Sequence, residues 1–103
     1  MEVPEWIRNE ILAFVDYVVP GGPGEVWLTG SRAKGEARPD SDWDVVAFTE
    51  DARSAPEDLF KSNQTSRKKI DGGCIELVIA HPNHWNDPRC YMMECRKSGV
   101  RLR

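Results

Sequence analysis

The sequence predicts an α/β fold: a small mixed β-sheet with helices packed on it, formed as a single domain over residues 1–103. Three observations predict it. An apolar stripe at helical spacing opens the chain, short runs of strand-forming residues follow, and Gly, Pro and Asp punctuate the boundaries between them. The length suits one modest hydrophobic core. Hydrophobic residues make up 40% of the chain and charged residues 30%, a balance that excludes collagen-like, low-complexity and disulfide-scaffold proteins.

Residues 4–19 are expected to form a helix. Pro4 suits the first helical position, and Glu5 favours the positive end of the helix dipole. Ile7, Ile11, Phe14, Val15 and Val18 recur on one face, and Pro20-Gly21-Gly22-Pro23-Gly24 stops the helix. Residues 25–29 read as a short strand. Residues 31–34 read as a single helical turn ended by Gly35, and the polar stretch 36–41, with Pro39, reads as loop. Residues 43–49 are nearly all apolar after Asp44, the pattern of a strand covered on both faces. A short helix is expected near residues 56–60. Residues 66–70 and 74–80 read as a hairpin about Asp71-Gly72-Gly73. On its second strand Ile75, Leu77 and Ile79 face one way, while Cys74, Glu76 and Val78 face the other. Asp87 as N-cap and Pro88 as first residue open a last helix that Gly99 closes.

The net charge of −3 hides an asymmetry. Residues 1–60 carry five Lys or Arg against thirteen Asp or Glu, whereas residues 61–103 carry nine against four. An acidic half beside a basic half suits a metal site next to a polyanion, although charge alone more often means two solvated faces. The basic hairpin has no interleaved aromatic residues, so a nucleic-acid groove is not expected there. Lys68 and Lys69 read instead as protection of an edge strand. The acidic start of the chain is unlike a signal peptide, and no apolar run approaches the length of a membrane span. Together with the odd set Cys74, Cys90 and Cys95, this places the expected compartment in the cytoplasm. His81, His84, Cys90 and Cys95 match no common zinc spacing.

Chemistry concentrates in residues 30–44. A strand ends at Thr29, and Gly30 lets the backbone approach a ligand closely. The turn beginning at Ser31 has amides without intrahelical partners, which suits phosphate oxygens. Ser31 adds a hydroxyl, and Arg32 and Lys34 add positive charge. With ten residues intervening after Ser31 come Asp42 and Asp44, spaced so that both carboxylates lie on one face of the next strand. Two carboxylates that close repel unless a cation joins them, and their hard oxygens favour Mg²⁺ or Mn²⁺. Glu76 interrupts an apolar run, where a charge is costly without a partner. It is the best candidate for a third carboxylate, and the three are expected to converge on a shared cation.

The pattern Gly30-Ser31, ten residues, Asp42-x-Asp44 resembles the signature of the DNA polymerase beta-like nucleotidyltransferase superfamily. The form Gly-Ser-Arg-Ala-Lys-Gly-Glu-Ala-Arg-Pro-Asp-Ser-Asp is similar to that of its shortest branch, the minimal nucleotidyltransferases. The resemblance is strong over residues 25–49 and weaker over 73–82. It implies transfer of a nucleoside monophosphate, AMP from ATP, to a hydroxyl or amine, with release of pyrophosphate. Gly30 and Ser31, with Arg32 and Lys34, would bind the nucleotide, and Asp42, Asp44 and Glu76 would be catalytic and hold the metal. The third carboxylate of the family is usually Asp, and here the position falls on Glu76, one methylene longer. The resemblance further implies an antitoxin-like setting in which a small helical partner protein is modified, or a homo-oligomer that completes the site. The alternative is a weakly active or inactive module that keeps the fold and binds a nucleotide or partner.

Overall fold

The computed structural model describes residues 3–19, 24–50, 65–82, 85 and 96–103. The helix α1 spans Glu5–Val18. After it come β1 (Val26–Thr29), the short helix α2 (Gly30–Lys34), β2 (Trp43–Phe48), β3 (Thr65–Ile70), β4 (Gly73–Ala80) and β5 (Val100–Arg101). The expected helix near 56–60 and most of the one opening at Asp87, with His84, Cys90 and Cys95, lie outside the described residues. Of that last helix, residues 96–98 are described and helical.

The strands form one mixed sheet in the order β3-β4-β2-β1-β5. The pair β2–β4 is parallel, and the remaining pairs are antiparallel. The parallel pairing puts the start of β2 beside the start of β4, and this brings distant parts of the sequence together. The hairpin β3–β4 turns on Asp71-Gly72, with Gly72 at a φ of 82° that only glycine adopts cheaply.

The predicted stripe of α1 is buried as expected. Ile7, Ile11, Phe14 and Val15 pack against Val26, Leu28, Trp43, Val45, Ile75 and Leu77 on one face of the sheet. Burying side chains of this size stabilises the fold by roughly 1.5–3 kcal/mol each. The helix starts one residue later than the sequence suggests: Pro4 is the N-cap, and its carbonyl accepts the Arg8 N–H at 3.0 Å. The opposite face carries a smaller cluster of Val46, Phe48 and Ala80, with Trp27, Val78 and Trp85 against it. β2 is therefore covered on both faces, as its continuous apolar run requires.

β5 was not legible in the sequence. It adds a two-residue edge to β1 and leads into Leu102, which is 2% exposed in the main core. Arg8 on α1 donates to the Leu102 carbonyl, and Arg103 forks onto Asp16 at 2.9 and 3.2 Å. These contacts tie the end of the chain to its first helix.

Candidate active site

The sheet register assembles the site. Thr29 on β1 is the Cα partner of Asp44 on β2, Asp44 is the partner of Glu76 on β4, and Glu76 is the partner of Arg67 on β3. In-register neighbours project from the same face. A polar row of Thr29, Asp44, Glu76 and Arg67 thus crosses the sheet on the face away from α1. Val46 and Val78, two residues further along β2 and β4, continue that face as an apolar floor. A cleft of about 300 Å³ opens here, lined by Thr29, Gly30, Lys34, Asp44, Val46, Glu76 and Val78.

Gly30 joins β1 to α2 with a φ of 75°, and an added Cβ would run into the Asp44 carboxylate. Two constraints therefore demand glycine, one of conformation and one of space. Gly35, at a φ of 74°, ends α2 in the left-handed cap conformation. Ser31 is the second residue of α2, half-buried, and its carbonyl accepts the Glu36 N–H at 3.0 Å. Gly30 and Lys34 form the cleft wall on this side. Thr29 is the sole buried polar residue among the described core, 6% exposed, and its side chain does not cap α2.

Arg32 departs from expectation. Its guanidinium donates to the Ser41 carbonyl at 2.9 Å and to the Pro39 carbonyl at 3.1 Å, and lies 4.2 Å from the centroid of the Trp43 ring. Trp43 belongs to the core on the α1 face, opposite Asp44. Arg32 is therefore turned away from the cleft and braces the loop that delivers Asp42, rather than reaching a nucleotide. Gly73 meets the same loop from the other side, because a Cβ there would stand 2.9 Å from the Ser41 carbonyl oxygen. Trp43 is 5% exposed and packs in the core.

The three acids share one end of one face, but they do not close on a common point. Among the described residues no group of three His, Cys, Asp or Glu side chains is placed to hold a metal ion. Asp42 Oδ2 instead pairs with Arg67 at 3.4 Å. The expected convergence on one cation is thus corrected to an adjacent pair, Asp44 and Glu76, with Asp42 drawn to a counter-ion. Their electrostatics are those of crowded carboxylates. Partial burial, then the negative charges of Glu76 and Asp42, push Asp44 from an ordinary 3.8 to about 6, with Arg67 acting in the opposite direction. A half-buried carboxylate destabilised by two like charges is a hard-oxygen donor set that a divalent cation would relieve.

Arg67 was missed in the sequence, although it was within reach. Counting back across the two-residue Asp71-Gly72 turn pairs 70 with 73 and hence 67 with 76. Its guanidinium is held charged first by a hydrogen bond with Cys74, then by Glu76 and Asp42. Cys74 is a free thiol on the same face as Glu76.

With this geometry in place, comparison with known proteins identifies the class. The model of the nucleotidyltransferase domain family matches residues 8–97. The chain belongs to that family, and its mixed sheet with the acid row at the β1–α2 junction is a nucleotidyltransferase fold. No curated protein matched the chain. No helix among the described residues is long and apolar enough to cross a membrane.

Proposed function

We propose that the chain is a divalent-metal-dependent nucleotidyltransferase that moves AMP from ATP to a hydroxyl or amine. The observation that carries this reading is the in-register pair Asp44–Glu76 on the floor of a cleft whose wall is Gly30 and Lys34. Asp44 and Glu76, joined by Asp42 once it leaves Arg67, would hold Mg²⁺ or Mn²⁺, which supplies charge neutralisation at the transferring phosphate. The chain's own residues do the positioning. Lys34 offers a cation to the triphosphate, and Gly30 keeps the backbone close to it. Val46 and Val78 offer an apolar surface beside the acids. The acceptor oxygen or nitrogen bonds to the α-phosphorus, the bond to the bridging oxygen breaks, pyrophosphate leaves, and the acceptor's proton passes to water.

The acceptor is read as a group on another protein chain, a small helical partner or a second copy, and the compartment as the cytoplasm. Both rest on the resemblance of residues 30–42 to the minimal, antitoxin-like branch. A second reading, a nucleotide- or partner-binding module with little activity, is favoured by the Asp42–Arg67 ion pair and by Glu at the third acidic position.

The test is incubation with α-labelled ATP, Mg²⁺ and candidate acceptor proteins. Label is expected to transfer, and Asp42→Asn and Asp44→Asn are each expected to abolish it. Labelling that persists in both variants would sink the enzymatic reading, while nucleotide binding without any transfer would select the binding module.

A further inference from the structure

The acid row contains its own cation. Arg67 is the Cα partner of Glu76 and its guanidinium pairs with Asp42 at 3.4 Å, so a cation stands beside the acids that flank Asp44 on this face. Its side chain is 59% exposed and that of Asp42 39%, so the guanidinium can leave Asp42 without uncovering the core, whether or not it keeps its hydrogen bond with Cys74. Lys68, the next residue, points to the other face and pairs with Glu10 on α1 at 3.2 Å. Of the two charges, only Arg67 is held against the acid row. We propose that Arg67 is an internal competitor for the cation site: it holds Asp42 by charge pairing, and a divalent ion must displace it to gain Asp42 as a ligand. Arg67 is then a positioning residue that sets the cation concentration at which the site loads. This rests on the metal-dependent reading above.

The competition has a sign that a merely structural role does not share. Removing a residue that builds the site loosens cation binding, whereas removing a competitor tightens it. An exposed ion pair is weak, so the tightening is modest, roughly fivefold. The same pairing favours an ion that brings two charges to the acids over the single charge of a guanidinium.

The experiment measures Mn²⁺ binding to the full chain without nucleotide, by calorimetry and by the paramagnetic signal of the free ion. It compares the wild type with Arg67→Gln, Arg67→Lys and Lys68→Gln. Arg67→Gln is expected to tighten Mn²⁺ binding roughly fivefold, and Arg67→Lys to return it toward the wild-type value. Lys68→Gln changes the net charge equally on the opposite face and is expected to leave affinity unchanged. Circular dichroism melts of each variant confirm that the fold is intact. Equal or weaker binding by Arg67→Gln, with the wild type binding Mn²⁺, overturns the competition and leaves the metal-dependent reading standing. Equal tightening by Lys68→Gln overturns it too, by showing a general field effect. Absence of Mn²⁺ binding in both the wild type and Arg67→Gln overturns the competition and the metal-dependent reading together.

Discussion

The carboxylate of Asp44 occupies the space in which a side chain at Gly30 would have to stand. Thirteen residues separate the two in sequence. They meet because Thr29 and Asp44 are paired across β1 and β2. The glycine of the β1–α2 turn and the central acid of the row are therefore one steric unit. Gly30→Ala is expected to force Asp44 aside as well as strain a φ of 75°, costing roughly 1–3 kcal/mol of stability and most of the transfer activity. Gly35→Ala is the control. It has nearly the same φ, 74°, but open space where the Cβ would go, so about 1 kcal/mol of strain and little loss of activity are expected. Thermal melts and labelled-ATP transfer on both variants check this. Equal activity losses would show that the contact with Asp44 is unimportant.

Asp44 gives the stability of the protein a specific pH dependence. Its carboxyl titrates near 6 in the folded chain, against an ordinary 3.8. Between these values the folded chain holds a proton that the unfolded chain has released. The contribution of Asp44 is thus fully present below about pH 4 and is lost as pH rises through about 6. Asp44→Asn removes the penalty. At pH 7.5 it is expected to stabilise the protein by about 1 kcal/mol, after discounting for solvent screening at a half-buried group, and to have no such advantage at pH 3.5. The same variant should be inactive. Denaturant melts of both proteins across pH 3.5–7.5 provide the measurement, and a wild type as stable as Asp44→Asn at pH 7.5 would contradict the raised carboxyl.

Much of this architecture was readable because its signals are local. The apolar spacing of Ile7, Ile11, Phe14 and Val15, the continuous run after Asp44, and the Asp71-Gly72 turn each depend on residues close in sequence. Asp42, Asp44 and Glu76 were legible as carboxylates set at the start of, or within, otherwise apolar strands. What was not legible depends on long-range partners. β5 is two residues long and exists because Val26 and Leu28 leave an edge for Val100 and Leu102 to cover. The direction of Arg32 is decided by the Pro39 and Ser41 carbonyls and by the Trp43 ring, none of which sequence spacing places beside it. Arg67 entered the acid row through register across a turn, and Asp42 then left the convergence that like charges alone seemed to require.

Arg32 sits in the β1–α2 turn region yet acts on the loop. Arg32→Met keeps the length of the stem and the cover over Trp43 but loses the donors to Pro39 and Ser41. A loss of about 1–2 kcal/mol is expected, since the bonds are charge-assisted but partly exposed. Asp42 follows Ser41 directly, so Mn²⁺ binding should weaken as well. Lys34→Met is the contrast: it lines the cleft, and its loss should weaken ATP binding more than it weakens Mn²⁺ binding. If Arg32→Met weakened ATP binding but left both stability and Mn²⁺ affinity intact, Arg32 would belong to the nucleotide site after all.

A divalent cation should stabilise the folded chain, and more so at higher pH. The unfolded chain does not hold Asp42, Asp44 and Glu76 together, so binding is linked to folding. At about 100 times the dissociation constant the gain is about 2.7 kcal/mol. For a domain of this size that raises the melting temperature by roughly 10 °C or more. Protons compete for the same oxygens. Because Asp44 titrates near 6, each pH unit below that value costs up to a factor of about ten in affinity where one proton must leave. The upshift with Mg²⁺ or Mn²⁺ should therefore be large at pH 7.5, clearly smaller at pH 5, and absent in Asp44→Asn at both. Differential scanning fluorimetry over a cation titration at the two pH values decides the matter: an upshift that Asp44→Asn retains would place the ion elsewhere on the acidic surface, away from the row that β1, β2 and β4 assemble.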